Sequence, residues 1–195
     1  MKAADHDVKP AATVTPVGIF LPKFDELFLS MVCSKVTSDC LVDRLVQWWE
    51  SACDRFSHIQ LLVINLDNGP ENHSRRTQFI KRIVDFVMHY RIQVRLAYYP
   101  PYHSKYNPVE RCLGILENHW NGALLDSVEA VVEFAKSMTW KSHHPVVELV
   151  TTTYQTGVKL SKEAMDKIEE QINRMPLLEK WFVDIVPPSR TFRGT

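Results

Sequence analysis

Hydrophobic positions along the chain follow two spacings, and the change from one to the other marks out the elements. Thr15 to Leu21 (TPVGIFL) and Glu26 to Cys33 (ELFLSMVC) are rich in β-forming residues, and Pro22-Lys23-Phe24-Asp25 separates them, which predicts a hairpin. Leu41, Val42, Leu45, Trp48 and Trp49 then recur at helical spacing, with Ser38 or Asp39 as the cap of a helix running to about Cys53. The two tryptophans on that helix read as core. Gln60 to Leu66 (QLLVINL) is an almost continuous apolar run, the pattern of a strand buried on both faces of a sheet. It stops at Asp67-Asn68-Gly69-Pro70, a strong turn signal.

Thr77 to His89 is amphipathic, with Phe79, Ile80, Ile83, Val84 and Val87 on one side, and Gln93 to Ala97 reads as the next strand. A loop, Tyr98 to Asn107, leads to Pro108, which opens a helix through about Asn121. Ser127 to Ser137 predicts a further helix, and Val146 to Tyr154 fits either strand or helix. Ser161 caps a helix from Lys162 to about Arg174, and Trp181 to Val186 reads as a late strand. Strands first, then helix alternating with strand, predict a mixed α/β sheet flanked by helices. The expected organisation is a flexible lead-in over residues 1–14, one domain over 15–187 and a tail over 188–195.

Bulk composition excludes some functions. Lys plus Arg and Asp plus Glu both number 23, so no overall basic charge marks a nucleic-acid binder. The distribution is uneven: His73 to Arg111 holds eight basic residues (Arg75, Arg76, Lys81, Arg82, Arg91, Arg95, Lys105, Arg111) against Asp85 and Glu110, a net of +6. Such a stretch either neutralises phosphates or consists of solvated helix faces. Cys33, Cys40, Cys53 and Cys112 show neither zinc nor disulfide-framework spacing and read as thiols in a reducing compartment. No run approaches a membrane span and no apolar signal core opens the chain, so a cytoplasmic protein without membrane partners is expected.

Two carboxylates stand out by position. Asp67 closes the most apolar strand, and ligand sites in open α/β sheets gather beyond the carboxyl ends of strands. The competing account is an Asx-type turn with Asn68-Gly69. Glu110 lies in the first turn after Pro108; with Asn107 as N-cap it occupies the capping-box position, and it is also placed to be a metal ligand. Convergence of the two would create a repulsion that a cation relieves, and hard carboxylate oxygens suit Mg²⁺ or Mn²⁺. His103 is either a phosphate-contacting group or loop packing. Tyr98, Tyr99, Tyr102 and Tyr106 beside Arg95, Lys105 and Arg111 either stack on unpaired bases or pack the loop.

The strings LDNGPEN (Leu66 to Asn72) and YYPPYHSKYNPVER (Tyr98 to Arg111) resemble the insertion-sequence DDE transposases. The closest likeness is to the Rhodopirellula-type transposase DDE domain, related to the mariner-like enzymes. GIFLPKFDELFL, SKVTSD, ENHWNG and HPVVEL add to a resemblance that runs from about Ala4 to Pro187. It implies a ribonuclease-H-like fold, Mg²⁺ (or Mn²⁺) dependence, and DNA partners at transposon ends and target. Asp67 matches the second catalytic Asp of the family and Glu110 its third acidic residue, both as metal ligands. His103, Lys105, Arg111, Arg75 and Arg76 are candidate accessory or DNA-contacting residues.

One departure shapes the expectation. The resemblance puts the first catalytic Asp on a strand upstream of the hairpin, and no such strand is legible. Asp5 and Asp7 sit in a polar segment, Asp25 in the hairpin turn and Asp39 at a cap. The chain is therefore expected to be an N-terminally truncated catalytic domain with its first strand missing, weak metal binding, no strand transfer of its own, and an uncovered sheet edge that favours self-association. The alternative is a non-catalytic DNA- or protein-binding remnant using the basic 73–111 region.

Overall fold

The structure is a computed structural model of the chain, and it describes residues 13–100, 103, 106–123 and 125–188. Its elements, in order, are β1 (Thr15–Leu21), β2 (Glu26–Val32), α1 (Ser38–Ala52), β3 (Leu61–Leu66), α2 (Thr77–Tyr90), β4 (Gln93–Tyr98), α3 (Pro108–Trp120), α4 (Val128–Ser137), β5 (Val146–Val150), α5 (Lys162–Glu169), β6 (Ile172–Arg174) and β7 (Phe182–Ile185). They divide between two compact units, residues 1–35 with 112–153 and residues 36–111 with 154–195. Each unit has its own mixed sheet, ordered β1-β2-β5 in the first and β3-β4-β7-β6 in the second. The mixed α/β architecture, with five helices among the described residues, is compatible with a ribonuclease-H-like fold.

In the first unit the expected hairpin forms, with β1 antiparallel to β2 from Thr15↔Val32 to Leu21↔Glu26. Its turn places Asp25 at φ +55, where the carboxylate accepts from Trp140 Nε1 at 3.3 Å and pairs with Lys141. β5 adds parallel to β2, which settles Val146 to Val150 as strand. β2, with a neighbour on each side, buries Leu27, Leu29, Met31 and Val32, and α4 packs on β5 with Val132 and Ala135 buried. Ser127 caps α4 through a bond from Ala130 N–H to its hydroxyl.

In the second unit α1 packs on α2. Trp48 and Trp49 are buried as expected, Trp49 meeting Phe86 edge-on at 6.1 Å. The cap of α1 is Thr37, not Ser38 or Asp39: its hydroxyl accepts from Cys40 N–H, while the Ser38 hydroxyl donates to the Glu71 carbonyl at 2.8 Å. Asp39 instead pairs with Arg82. The helix beginning at Lys162 ends at Glu169 rather than near Arg174, because Ile172–Arg174 turns into β6 and pairs with β7.

The largest correction concerns β3. Among the described residues it pairs only with β4, and Leu61 is 38% and Val63 48% exposed, so it is not a strand buried on both faces. The cause lies in the layers. Val94, Leu96 and Tyr98 of β4 and Val183 and Ile185 of β7 are buried, with α2 packed against β4. Val63 pairs with Arg95, on the face where Arg95 and Asp184 form an ion pair. Residues 1–12 and 189–195, which contain most of the expected lead-in and tail together with Asp5 and Asp7, lie outside the described residues. No helix among the described residues is long and apolar enough to cross a membrane.

Candidate metal centre

β3 and β4 are parallel, with Leu66 opposite Tyr98, so both strands leave the sheet at the same end. Asp67 is the first residue beyond β3. The connection leaving β4 begins with Tyr99, whose N–H donates to the Leu66 carbonyl at 2.9 Å, and it leads to α3, whose first turn carries Glu110. Both carboxylates belong to the second unit and both are exposed.

The chain turns sharply after Asp67. Asn68 adopts φ +63, a conformation Asn tolerates better than most residues. Asp67 Oδ1 accepts from Gly69 N–H at 3.2 Å, the Asx-type turn, and from Asn72 Nδ2 at 2.8 Å. The turn leaves half of the carboxylate unused: both bonds fall on Oδ1, and Oδ2 of this exposed residue makes no hydrogen bond among the described residues. A Cβ at position 69 would stand 3.3 Å from both carboxylate oxygens and from Asn72 Oδ1, so glycine there gives the carboxylate its room.

Glu110 behaves differently from a capping-box residue. Its N–H donates to the Asn107 carbonyl at 3.1 Å, and Asn107 is buried. The Glu110 carboxylate forms no hydrogen bond or ion pair among the described residues, so the reciprocal capping bond is absent and its oxygens face water. Two exposed carboxylates, one steadied and one unbonded, suit a hard divalent cation, which commonly takes one or two carboxylates and completes its shell with water or phosphate. No group of three His, Cys, Asp or Glu side chains placed to hold a metal exists among the described residues.

A family model described as the Rhodopirellula transposase DDE domain matches residues 1–187. The chain belongs to this family. No curated protein and no solved structure matches it.

The basic stretch of this transposase domain is largely neutralised, mostly by acidic residues outside it and in one case by Asp85 within it. Arg76 is engaged by Glu71 at 2.9 Å and by the Ser38 hydroxyl; Arg82 spans Asp39 and Asp43; Arg95 holds Asp184 through two 2.7 Å bonds; Lys81 pairs with Asp85. Arg91 donates to the Pro188 carbonyl. Arg75 and Arg111 are exposed, and Lys105 and Tyr102 lie outside the described residues. His103 is exposed and stacks on Tyr106 at 5.8 Å. The net of +6 counted along the sequence is thus mostly a property of sequence position.

Two features escaped the sequence reading. Asn72 was visible only as part of the family-like string, although an amide five residues beyond a strand-end Asp is a reachable partner. The Ser38–Glu71–Arg76 cluster spans 38 positions and has no local signal. Burial raises the Glu71 pKa, but hydrogen bonds from Ser38 and Arg76 outweigh it and hold the carboxyl below its usual range.

Proposed function

We propose that this chain is part of a catalytic domain built for metal-dependent phosphoryl transfer on DNA, the cleaving and joining of transposon ends and target, and that Asp67 and Glu110 are two of that site's three carboxylate ligands for Mg²⁺ or Mn²⁺. The supporting observation is the pair itself: an exposed carboxylate closing β3 and an exposed, unbonded one opening α3. Such an ion, when bound, neutralises the carboxylates and polarises phosphoryl oxygens. Asn72 and Gly69 N–H fix Asp67 Oδ1 and so aim Oδ2. Exposed Arg75 and Arg111 are the basic residues best able to meet a phosphate backbone.

The family site uses a third carboxylate, and the described candidates are committed elsewhere, Asp25 to Trp140 and Lys141 and Asp39 to Arg82 and Gln78. Two ligands hold the ion weakly. The 195-residue chain alone is therefore expected to bind Mn²⁺ weakly and to nick duplex DNA no faster than background. Mn²⁺ titration and supercoiled-plasmid nicking, each with the wild type, Asp67→Ala and Glu110→Ala, test this. Binding lost in both variants supports the site. Binding unchanged in both overturns it, and nicking abolished by Asp67→Ala overturns the expected inactivity while retaining the ligands.

A further inference from the structure

The turn that follows β3 steadies its own carboxylate but does not anchor itself. Asp67 Oδ1 accepts from Asn72 Nδ2 at 2.8 Å, and among the described residues that is the one bond this amide makes, since Asn72 Oδ1 is buried without a partner. The contact fixes which end of the amide faces Asp67, because an amide oxygen would repel the carboxylate. The Asn72 side chain is therefore placed by its own main chain. The Asn72 N–H reaches the Gly69 carbonyl at 3.3 Å, a long bond, and the His73 N–H reaches the same carbonyl at 3.0 Å. Both bonds stay within the turn and leave its orientation on the rest of the fold open.

Of residues 68–72, Glu71 alone among the described residues bonds beyond this loop. Its Oε2 accepts from Ser38 N–H at 3.1 Å and lies 3.0 Å from the Ser38 hydroxyl, and that hydroxyl donates to the Glu71 main-chain carbonyl at 2.8 Å. Arg76 closes the other side, donating to Oε2 from Nε at 3.2 Å and from Nη2 at 2.9 Å. Ser38 is buried and is the first residue of α1, so its N–H is one of the donors that the helix itself cannot use, and a carboxylate there also suits the helix dipole. Capping needs only the carboxylate. The bond to the Glu71 carbonyl is surplus to it, and that bond holds the main chain one residue from Asn72.

We infer that Glu71 is a positioning residue of the proposed metal centre: held by Ser38 and Arg76, it sets the main chain beside Asn72 so that the Asn72 amide meets Asp67 Oδ1 and leaves Oδ2 aimed at the ion. The inference rests on the reading of Asp67 as a ligand. Glu71 acts through Asn72 and then Asp67, and the end of α1 becomes part of the frame of the site. A group bonded directly to a metal ligand is commonly worth about 10–100-fold in affinity, and Glu71 stands one step further out, so its loss is expected to cost about threefold to tenfold.

The test uses the full chain and two readouts: Mn²⁺ binding by electron paramagnetic resonance, and the Asn72 side-chain amide signals by NMR without metal. Glu71→Gln is expected to weaken Mn²⁺ binding about threefold to tenfold and to shift the Asn72 amide signals in the direction that Asp67→Ala shifts them. Added to Asn72→Ala it is expected to cause no further loss of affinity, because its route runs through that amide. A Glu71 that merely caps α1 would lower Tm and leave both readouts at their wild-type values, which would overturn the inference, as would losses that add in the double variant. Asp67→Ala separates the two claims. Mn²⁺ binding that survives Asp67→Ala sinks the ligand reading and this inference with it, whereas binding lost in Asp67→Ala but kept in Glu71→Gln sinks this inference alone. If Glu71→Gln fails to fold, Ser38→Ala, which keeps the carboxylate, decides by the same two readouts.

Discussion

At the scale of single residues, orientation separates the Asp67 carboxylate from an ordinary turn former. Asn72 donates to it at 2.8 Å, and Gly69 leaves it space. Asn72→Ala is expected to preserve the fold and weaken Mn²⁺ binding about tenfold, as loss of a ligand-orienting partner commonly does. Calorimetric titration checks this, and unchanged affinity would remove Asn72 from the site. Tyr98 offers the opposite case. Its hydroxyl is buried without a hydrogen-bond partner, and burial pushes its pKa upward. Tyr98→Phe removes an unsatisfied group and should stabilise the protein by about 1 kcal/mol, seen as a raised Tm.

Glu71 gives a pH dependence with a definite sign. Its folded pKa lies below the ordinary carboxylate value despite a burial penalty, because Ser38 and Arg76 bond the ionised form. The stabilisation is therefore fully present above the unfolded pKa of about 4.3 and is lost as pH falls through the folded value. Glu71→Gln should cost about 1–2 kcal/mol at neutral pH and progressively less in acid, measured by urea melts across that window. Asp67 and Glu110 were legible as candidates because a strand end and a proline-opened helix are local patterns. Whether Glu110 caps or stays unbonded was not legible, because capping depends on a side-chain rotamer that residue order leaves open.

At the scale of elements, periodicity identified most strands and helices to within a residue or two, and its errors are physical. The run Gln60 to Leu66 has the composition of a central strand, yet among the described residues it pairs on one side only. Composition reports what a strand tolerates on its faces; position in the sheet is fixed by pairing partners distant in sequence. The Lys162 helix overran for the same reason, since Ile172–Arg174 is recruited by β7 through contacts that no local window contains. Between α1 and α2 the decisive link is also non-local: Arg82 reaches Asp39 at 2.7 Å and Asp43 at 2.6 Å. Arg82→Ala leaves two partly buried carboxylates facing each other and should cost about 1–2 kcal/mol, a loss that high salt only partly masks in thermal melts.

At the scale of the whole molecule, charge separates the two functional readings. The formal net charge is zero, and Arg76, Lys81, Arg82 and Arg95 all carry acidic partners. A remnant that lived by its basic 73–111 stretch would need those cations free for phosphate. Metal-free duplex binding is therefore expected to be weak, with a salt slope corresponding to about two or three phosphates rather than the eight basic residues in that stretch; fluorescence anisotropy at several salt concentrations measures it. Membership of the transposase DDE family and a mixed α/β fold favour the carboxylate pair as the place where chemistry would occur.

Asp67 and Glu110, as proposed, serve one ion. Replacing Mg²⁺ with Fe²⁺ and generating hydroxyl radicals cuts the backbone beside a bound metal, and mass spectrometry locates the cuts. The expected result is cleavage near both residue 67 and residue 110, competed away by Mg²⁺ and lost together in Asp67→Ala. Cuts confined to one segment, or a pattern indifferent to Asp67→Ala, would contradict it.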